Sequence, residues 1–188
     1  VLICSLLGAW FFFIHRSELA VVAFSLVGAL IAFLNYNLAP KARIFMGDTG
    51  SMLVGLVCAI LAISFMEINH DLSASAFKFD AVPAIAIAIL ILPLFDTLRV
   101  FATRILKGKS PFSPDRTHIH HLLLDFGLSH MQATATLVFT NITIIGAVVA
   151  LQHVGTFPLL IFEIAVAGLL TAILFRLVSQ KKNSTPAP

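Results

Sequence analysis

The chain has 188 residues, 59% of them hydrophobic and only 11% charged, with a formal net charge of +3 and a mean hydropathy of +1.01. Soluble domains carry roughly a quarter charged residues, so a water-soluble domain is excluded. An all-α integral membrane protein is expected, with membrane lipids as its surroundings and no nucleic acid as partner.

Six apolar segments follow in chain order, at 1–14, 19–38, 52–66, 81–95, 133–151 and 157–175. A membrane-spanning helix needs about 20 apolar residues. The second, fifth and sixth segments meet that length, while the third and fourth must borrow flanking residues. The first opens on Val-Leu-Ile-Cys with neither an initiator Met nor a basic flank. It reads as a chain entered partway, not as a signal peptide. About six transmembrane helices are therefore expected over residues 1–178, followed by a disordered tail at 179–188. Seventeen Phe against one Trp and one Tyr suit lipid-facing packing. Cys4 and Cys58 lie in apolar runs and read as small buried hydrophobes.

With the first helix running outward, the inner loops hold Lys41, Arg43, Arg99, Arg104, Lys107, Lys109, Arg116, Arg176, Lys181 and Lys182, and only Arg16 and Lys78 fall outside. Lys and Arg concentrate on the cytoplasmic side of membrane proteins, so both termini are expected there. The loop from Arg99 to Met131, between helices four and five, is the long one, and long loops inside compact proteins are commonly functional. Its start, Arg-Val-Phe-Ala-Thr-Arg-Ile-Leu, suits a basic amphipathic turn at the interface. Further on, DRTHIHHLLLDFG offers Thr117 as an N-cap and Gly127 as a stop.

Two inner-face elements could carry chemistry. The first is FMGDTGSMLVG, residues 45–55. Asp48, Thr49 and Ser51 ahead of an apolar run could simply cap a helix. The same geometry offers free N–H groups to a phosphate, and an adjacent carboxylate is a hard oxygen ligand for Mg²⁺. The second is the triplet His118, His120 and His121, in a loop that also holds Arg104, Lys109, Asp115 and Arg116. Zinc calls for ligands converging tetrahedrally, which the neighbours His120 and His121 supply poorly. Imidazole and guanidinium donors suit diphosphate oxygens better. Among residues inside or beside the helices, Asp96 could cap or pair with Arg99, Glu163 could snorkel from the outer end of its helix, and Asn141 suits interhelical hydrogen bonding. The bottom-up reading is a membrane enzyme acting on a phosphorylated, water-soluble substrate at the cytoplasmic face. A transport or assembly component is the alternative, and a membrane zinc protein a third.

The stretches FMGDTGS and PLFDTLR…KGKSPFSPDRTHIHH resemble the polyprenyl-phosphate N-acetylhexosamine-1-phosphate transferases, glycosyltransferase family 4, nearest to the members that use undecaprenyl phosphate and N-acetylglucosamine. The resemblance runs from about Phe33 to Gly127, with a similar helix layout beyond. It implies transfer of a sugar-1-phosphate from a UDP-N-acetylhexosamine to undecaprenyl phosphate, with release of UMP, in the bacterial plasma membrane. It also implies Mg²⁺ held by Asp48, catalytic roles for Asp48, His118, His120 and His121, and substrate contacts from Asn37, Arg104, Asp115 and Arg116. A homodimer is compatible with such a chain. The family's earlier aspartate pair and its DGxDG motif do not occur here. The chain is accordingly expected to be the C-terminal half of such an enzyme and inactive alone.

Overall fold

A computed structural model describes residues 1–37, 44–73, 76–110 and 118–184, with side chains as far as Lys181. The described residues form seven α-helices and no strands: α1 (Leu2–Phe13), α2 (Ser17–Asn37), α3 (Gly47–Asp71), α4 (Val82–Leu106), α5 (Ile119–Phe126), α6 (His130–Ala150) and α7 (Thr156–Ser184). Five of them, α2, α3, α4, α6 and α7, are long and apolar enough to cross a membrane. This is an all-α, multi-pass membrane protein. The expected count of about six becomes five full-length helices plus α1. At 12 residues, α1 rises about 18 Å, short of a hydrocarbon core of roughly 30 Å.

The chain divides into two compact units, Val1–Ala86 and Ile87–Pro188. In the first, α1 ends at His15, whose φ of 60° turns the chain so that the Arg16 and His15 amides bond the Phe11 and Phe12 carbonyls at 2.9 and 3.1 Å. This left-handed stop satisfies carbonyls that the helix end leaves free. The chain then returns as α2, packed so closely that a Cβ on Gly8 would lie 2.9 Å from the Ala23 Cβ. Within a bilayer, apolar burial does not drive helices together, so small residues that admit close backbone approach matter more. Leu7, Phe11, Leu61 and Phe65 fill the interior between α1 and α3. Cys4 and Cys58 are buried free thiols with Sγ atoms 3.6 Å apart, as expected of small buried hydrophobes.

Polar groups at the far end of this unit hold the connection that follows α3. Asn69 donates through Nδ2 to the Phe79 carbonyl and accepts from the Phe79 amide, both at 2.9 Å, so a single side chain satisfies one residue's backbone. Trp10 donates Nε1–H to the Phe77 carbonyl at 2.8 Å and meets Phe65 edge-on at 4.6 Å. Buried Trp N–H groups regularly find such a partner.

In the second unit α4 does not stop near residue 95. No breaker follows Pro93 until Gly108, and the helix runs on through Arg99 and Arg104 to Leu106. The expected interfacial turn at 99–106 is therefore the end of α4. Gly108, at φ +67°, closes it with Lys109 N–H on the Arg104 carbonyl and Gly108 N–H on the Ile105 carbonyl, both 2.9 Å. Ser129 and Gln132 open α6 with a reciprocal capping box, satisfying two N–H groups that a helix start exposes. Asn141 reaches from α6 to the Ile89 carbonyl of α4 at 3.4 Å, the interhelical role expected of it. Glu163 departs from expectation. It is fully buried and does not snorkel, because it shares the inward stripe of α7 with Leu159, Ala167 and Thr171.

Candidate functional site

The first unit carries Asn37 and Asp48. Asn37 is the last residue of α2 and is exposed. Gly47 opens α3 at φ +68°, a conformation that favours glycine. Asp48 follows inside the first turn, and Met46 occupies the N-cap position without a side-chain cap. Asp48 therefore does not cap the helix. Its carboxylate is exposed at the end of the helix where partial positive charge favours an anion. The Ser51 hydroxyl donates to the Asp48 carbonyl at 2.9 Å and closes the turn. An exposed hard-oxygen ligand of this kind fits Mg²⁺, which commonly takes one or two carboxylates and completes its shell with water and substrate phosphates. Among the described residues no group of three or more His, Cys, Asp or Glu side chains is arranged to hold a metal ion, so no zinc-type cluster accompanies it.

The second unit carries the histidines on α5, an eight-residue helix. So short a helix is unstable alone, and it is held at both ends by other helices. At its start, Asp96 of α4 accepts from the Ile119 amide through Oδ1 at 3.1 Å and from His118 Nδ1 through Oδ2 at 2.9 Å. Arg99 donates to the same Oδ1 at 2.7 Å. At its end, Gly127 takes φ +106°, placing its amide on the Leu124 carbonyl at 2.8 Å and the Leu128 amide on the Leu123 carbonyl at 3.2 Å. Lys181 of α7 donates to the Phe126 carbonyl at 2.6 Å, with its ammonium 5.5 Å from the Phe126 ring centre. An acid at the N-terminus and a base at the C-terminus both complement the helix dipole.

So anchored, α5 buries Leu122 and Leu123 and leaves its imidazoles accessible. His118 and His120 are half-buried and His121 is exposed. The His120 ring stacks on His130 of α6 at 5.6 Å and meets His121 edge-on at 5.9 Å. Burial, and then the charges of His130 and His121, hold His120 below the usual histidine pKa, which favours its neutral form. A recess of about 410 Å³ opens beside this cluster, lined by His121, Leu124, Asp125 and His130. Beneath α5 an apolar cavity of about 160 Å³ extends between α4, α6 and α7.

Arg104 is 8% exposed near the end of α4. Asp115 and Arg116 lie outside the described residues, as does Thr117, the expected N-cap of α5. His118 occupies the N-cap position instead and contributes no side-chain cap. Gly127 stops α5 as the sequence suggested. Three contributors were missed: the reach of Asp96 to α5, Lys181 and His130. The PLFDTLR stretch does place an acid one helical turn before an arginine at the end of an apolar run, so Asp96 left a signal. Lys181 left none, since its partner lies 55 positions earlier.

Residues 1–66 match the model of the family "Glycosyl transferase family 4". Curated relatives include the undecaprenyl-phosphate alpha-N-acetylglucosaminyl 1-phosphate transferase of Haemophilus influenzae, 36% identical over 72% of this chain and 36% of the relative. The protein of the same name in Escherichia coli K12 is 34% identical over 77% of this chain and 36% of its own length. The decaprenyl-phosphate N-acetylglucosaminephosphotransferase of Mycolicibacterium smegmatis is 38% identical over 61% of this chain and 29% of its own. The chain thus spans about a third of the length of the curated relatives it matches. No solved structure matches it.

Proposed function

This chain is a relative of the glycosyl transferase family 4 enzymes, and on that premise we propose that it takes part in transferring N-acetylglucosamine-1-phosphate from a UDP-sugar to undecaprenyl phosphate. An oxygen of the lipid phosphate attacks the phosphorus that bears the sugar. The bond from that phosphorus to the bridging oxygen breaks, a lipid-linked diphosphate forms, and UMP leaves. The reading places the reaction at the cytoplasmic face of a bacterial plasma membrane, in keeping with the distribution of Lys and Arg.

The observation that carries the proposal is the pinned α5, which holds His118, His120 and His121 within its first turns and sets His121 in the wall of a recess large enough for a small ligand. In this reading the imidazoles, with Arg104, Asp115 and Arg116, bind and orient the diphosphate and the departing UMP. His120, disposed to be neutral at pH 7, still keeps one N–H to donate to a diphosphate oxygen, and His121 offers a donor from the open side. Asp48 would hold Mg²⁺ at the start of α3, with Asn37 among the substrate contacts of the same unit. What bound Mg²⁺ supplies is neutralisation of the charge that builds on the diphosphate.

The test is calorimetric titration of the reconstituted chain with UDP-N-acetylglucosamine, with and without Mg²⁺. Binding should require Mg²⁺ and weaken at least about tenfold in both Asp48→Ala, which removes the ligand to the metal, and His120→Ala, which removes a hydrogen bond to a charged oxygen. A transport or assembly component would show no such linked loss. Mg²⁺-independent binding, indifferent to both substitutions, would overturn the reading.

A further inference from the structure

Asp96 belongs to none of the roles assigned above to the histidine cluster, yet its carboxylate hydrogen-bonds the first of those histidines. Its two oxygens divide the work. Oδ1 accepts from Arg99 Nη2 at 2.7 Å and from the Ile119 amide at 3.1 Å, while Oδ2 meets His118 Nδ1 at 2.9 Å. The Asp96 and Arg99 side chains are 19% and 11% exposed, that of His118 40%. A sheltered carboxylate therefore grips the inner nitrogen of a ring whose remainder is open to a ligand.

A carboxylate can only accept hydrogen bonds, so the nitrogen facing it must carry the proton. In a neutral imidazole the other nitrogen is then a bare acceptor, and which nitrogen is which follows from the bond that fixes the ring. We propose that Asp96 is a positioning residue: it fixes His118 in the Nδ1–H form and turns Nε2 outward as the one ring nitrogen that meets the phosphorylated ligand of this site. Nδ1 is engaged in either protonation state. Neutral His118 presents an Nε2 lone pair that can accept from a hydroxyl of the ligand, and protonated His118 an Nε2–H that can donate to a phosphate oxygen, both in the same place. Arg99 contributes by holding Oδ1, which keeps Oδ2 aimed at the ring. Because Oδ1 also receives the Ile119 amide, the ring and the first turn of its helix share one fixed reference.

The part of this inference that concerns the ligand rests on the transferase reading; the part that concerns the tautomer does not. The test is ¹⁵N spectroscopy of histidine-labelled protein in lipid nanodiscs at pH 8, with the His118 signals assigned by their disappearance in His118→Gln. Wild-type His118 should show a protonated Nδ1 and a bare Nε2. In Asp96→Asn the carboxamide keeps one oxygen for Ile119 and turns its NH₂ towards the ring, so the tautomer should invert. Affinity for UDP-N-acetylglucosamine should fall at least about tenfold, the lower end of what loss of a histidine-orienting partner costs at metal-bound histidines. A wild-type ring protonated on Nε2 overturns the proposal without recourse to any variant. An unchanged tautomer in Asp96→Asn does the same, and so does an inverted tautomer with unchanged affinity. If neither protein binds the UDP-sugar, the transferase reading and the ligand-facing role fall together, while the ring measurement still decides whether Asp96 sets the tautomer.

Discussion

Replacing Gly127 by alanine tests how α5 is held. Two costs follow from the geometry. At φ +106° and ψ 12° an L residue is strained, and left-handed placement costs about 1–2 kcal/mol. The added Cβ would also stand 2.6 Å from Lys181 Nζ. The ammonium, at the far end of a flexible side chain, must swing away and give up its 2.6 Å bond to the Phe126 carbonyl. For an exposed bond that loss is worth about 1 kcal/mol. Together the two terms destabilise the docked helix by at least about 2 kcal/mol. At 1.4 kcal/mol per tenfold, its opening equilibrium shifts about 30-fold. Amide hydrogen exchange over Ile119–Phe126 in nanodiscs reads this directly, with α6 as the internal reference. Lys181→Met alone should accelerate exchange about fivefold. In the Gly127→Ala background it should add almost nothing, because the lysine has already been displaced. If the two effects multiply instead, the glycine and the lysine act independently and the reasoning fails.

Trp10→Phe should lower thermal stability by about 1 kcal/mol, the net worth of one hydrogen bond, since the Phe77 carbonyl loses its 2.8 Å donor; an unchanged melting temperature refutes it. The His120 prediction concerns pH. Its folded pKa lies below the ordinary 6.5, so the unfolded state binds more protons between the two values. The stabilising contribution of the neutral ring is complete above pH 6.5 and is lost as the pH falls through that value towards the folded pKa. The protection of the α5 amides, each measured against its intrinsic exchange rate at the same pH, should therefore fall below about pH 6.5. His130→Ala removes one of the two neighbouring charges and should raise the His120 midpoint, which NMR titration measures; a fall in that midpoint contradicts the assignment.

Helix identity was legible because length and apolar composition suffice for it in a membrane protein. Ends were less so. Gly127 could be read as a stop because glycine is favoured in the left-handed conformation. His15 performs the same task for α1 without any residue-type signal, and residues 99–106 looked like a separate basic turn because their charges obscured an uninterrupted helix. At the site, the histidines were legible as a cluster, and Asp48 as a carboxylate at a helix start. The anchoring of α5 was not, since it depends on pairs 22 and 55 positions apart that no local pattern encodes. Glu163 was misread for a related reason: its place in sequence suggested the water interface, and only packing revealed which way its side chain points.

The grip of Lys181 on Phe126 has a consequence for synthesis. A membrane protein is made and inserted from its N-terminus, so the histidine-bearing segment emerges more than fifty residues before the side chain that secures its far end. Until the C-terminal turns of α7 leave the ribosome, that segment is tethered at one end only, by Asp96. The fastening of α5 is thus completed only when the C-terminal turns of α7 have been made, and a message cut short a few codons before Lys181 would yield a protein with α1 to α6 and most of α7 in place and an unfastened histidine helix.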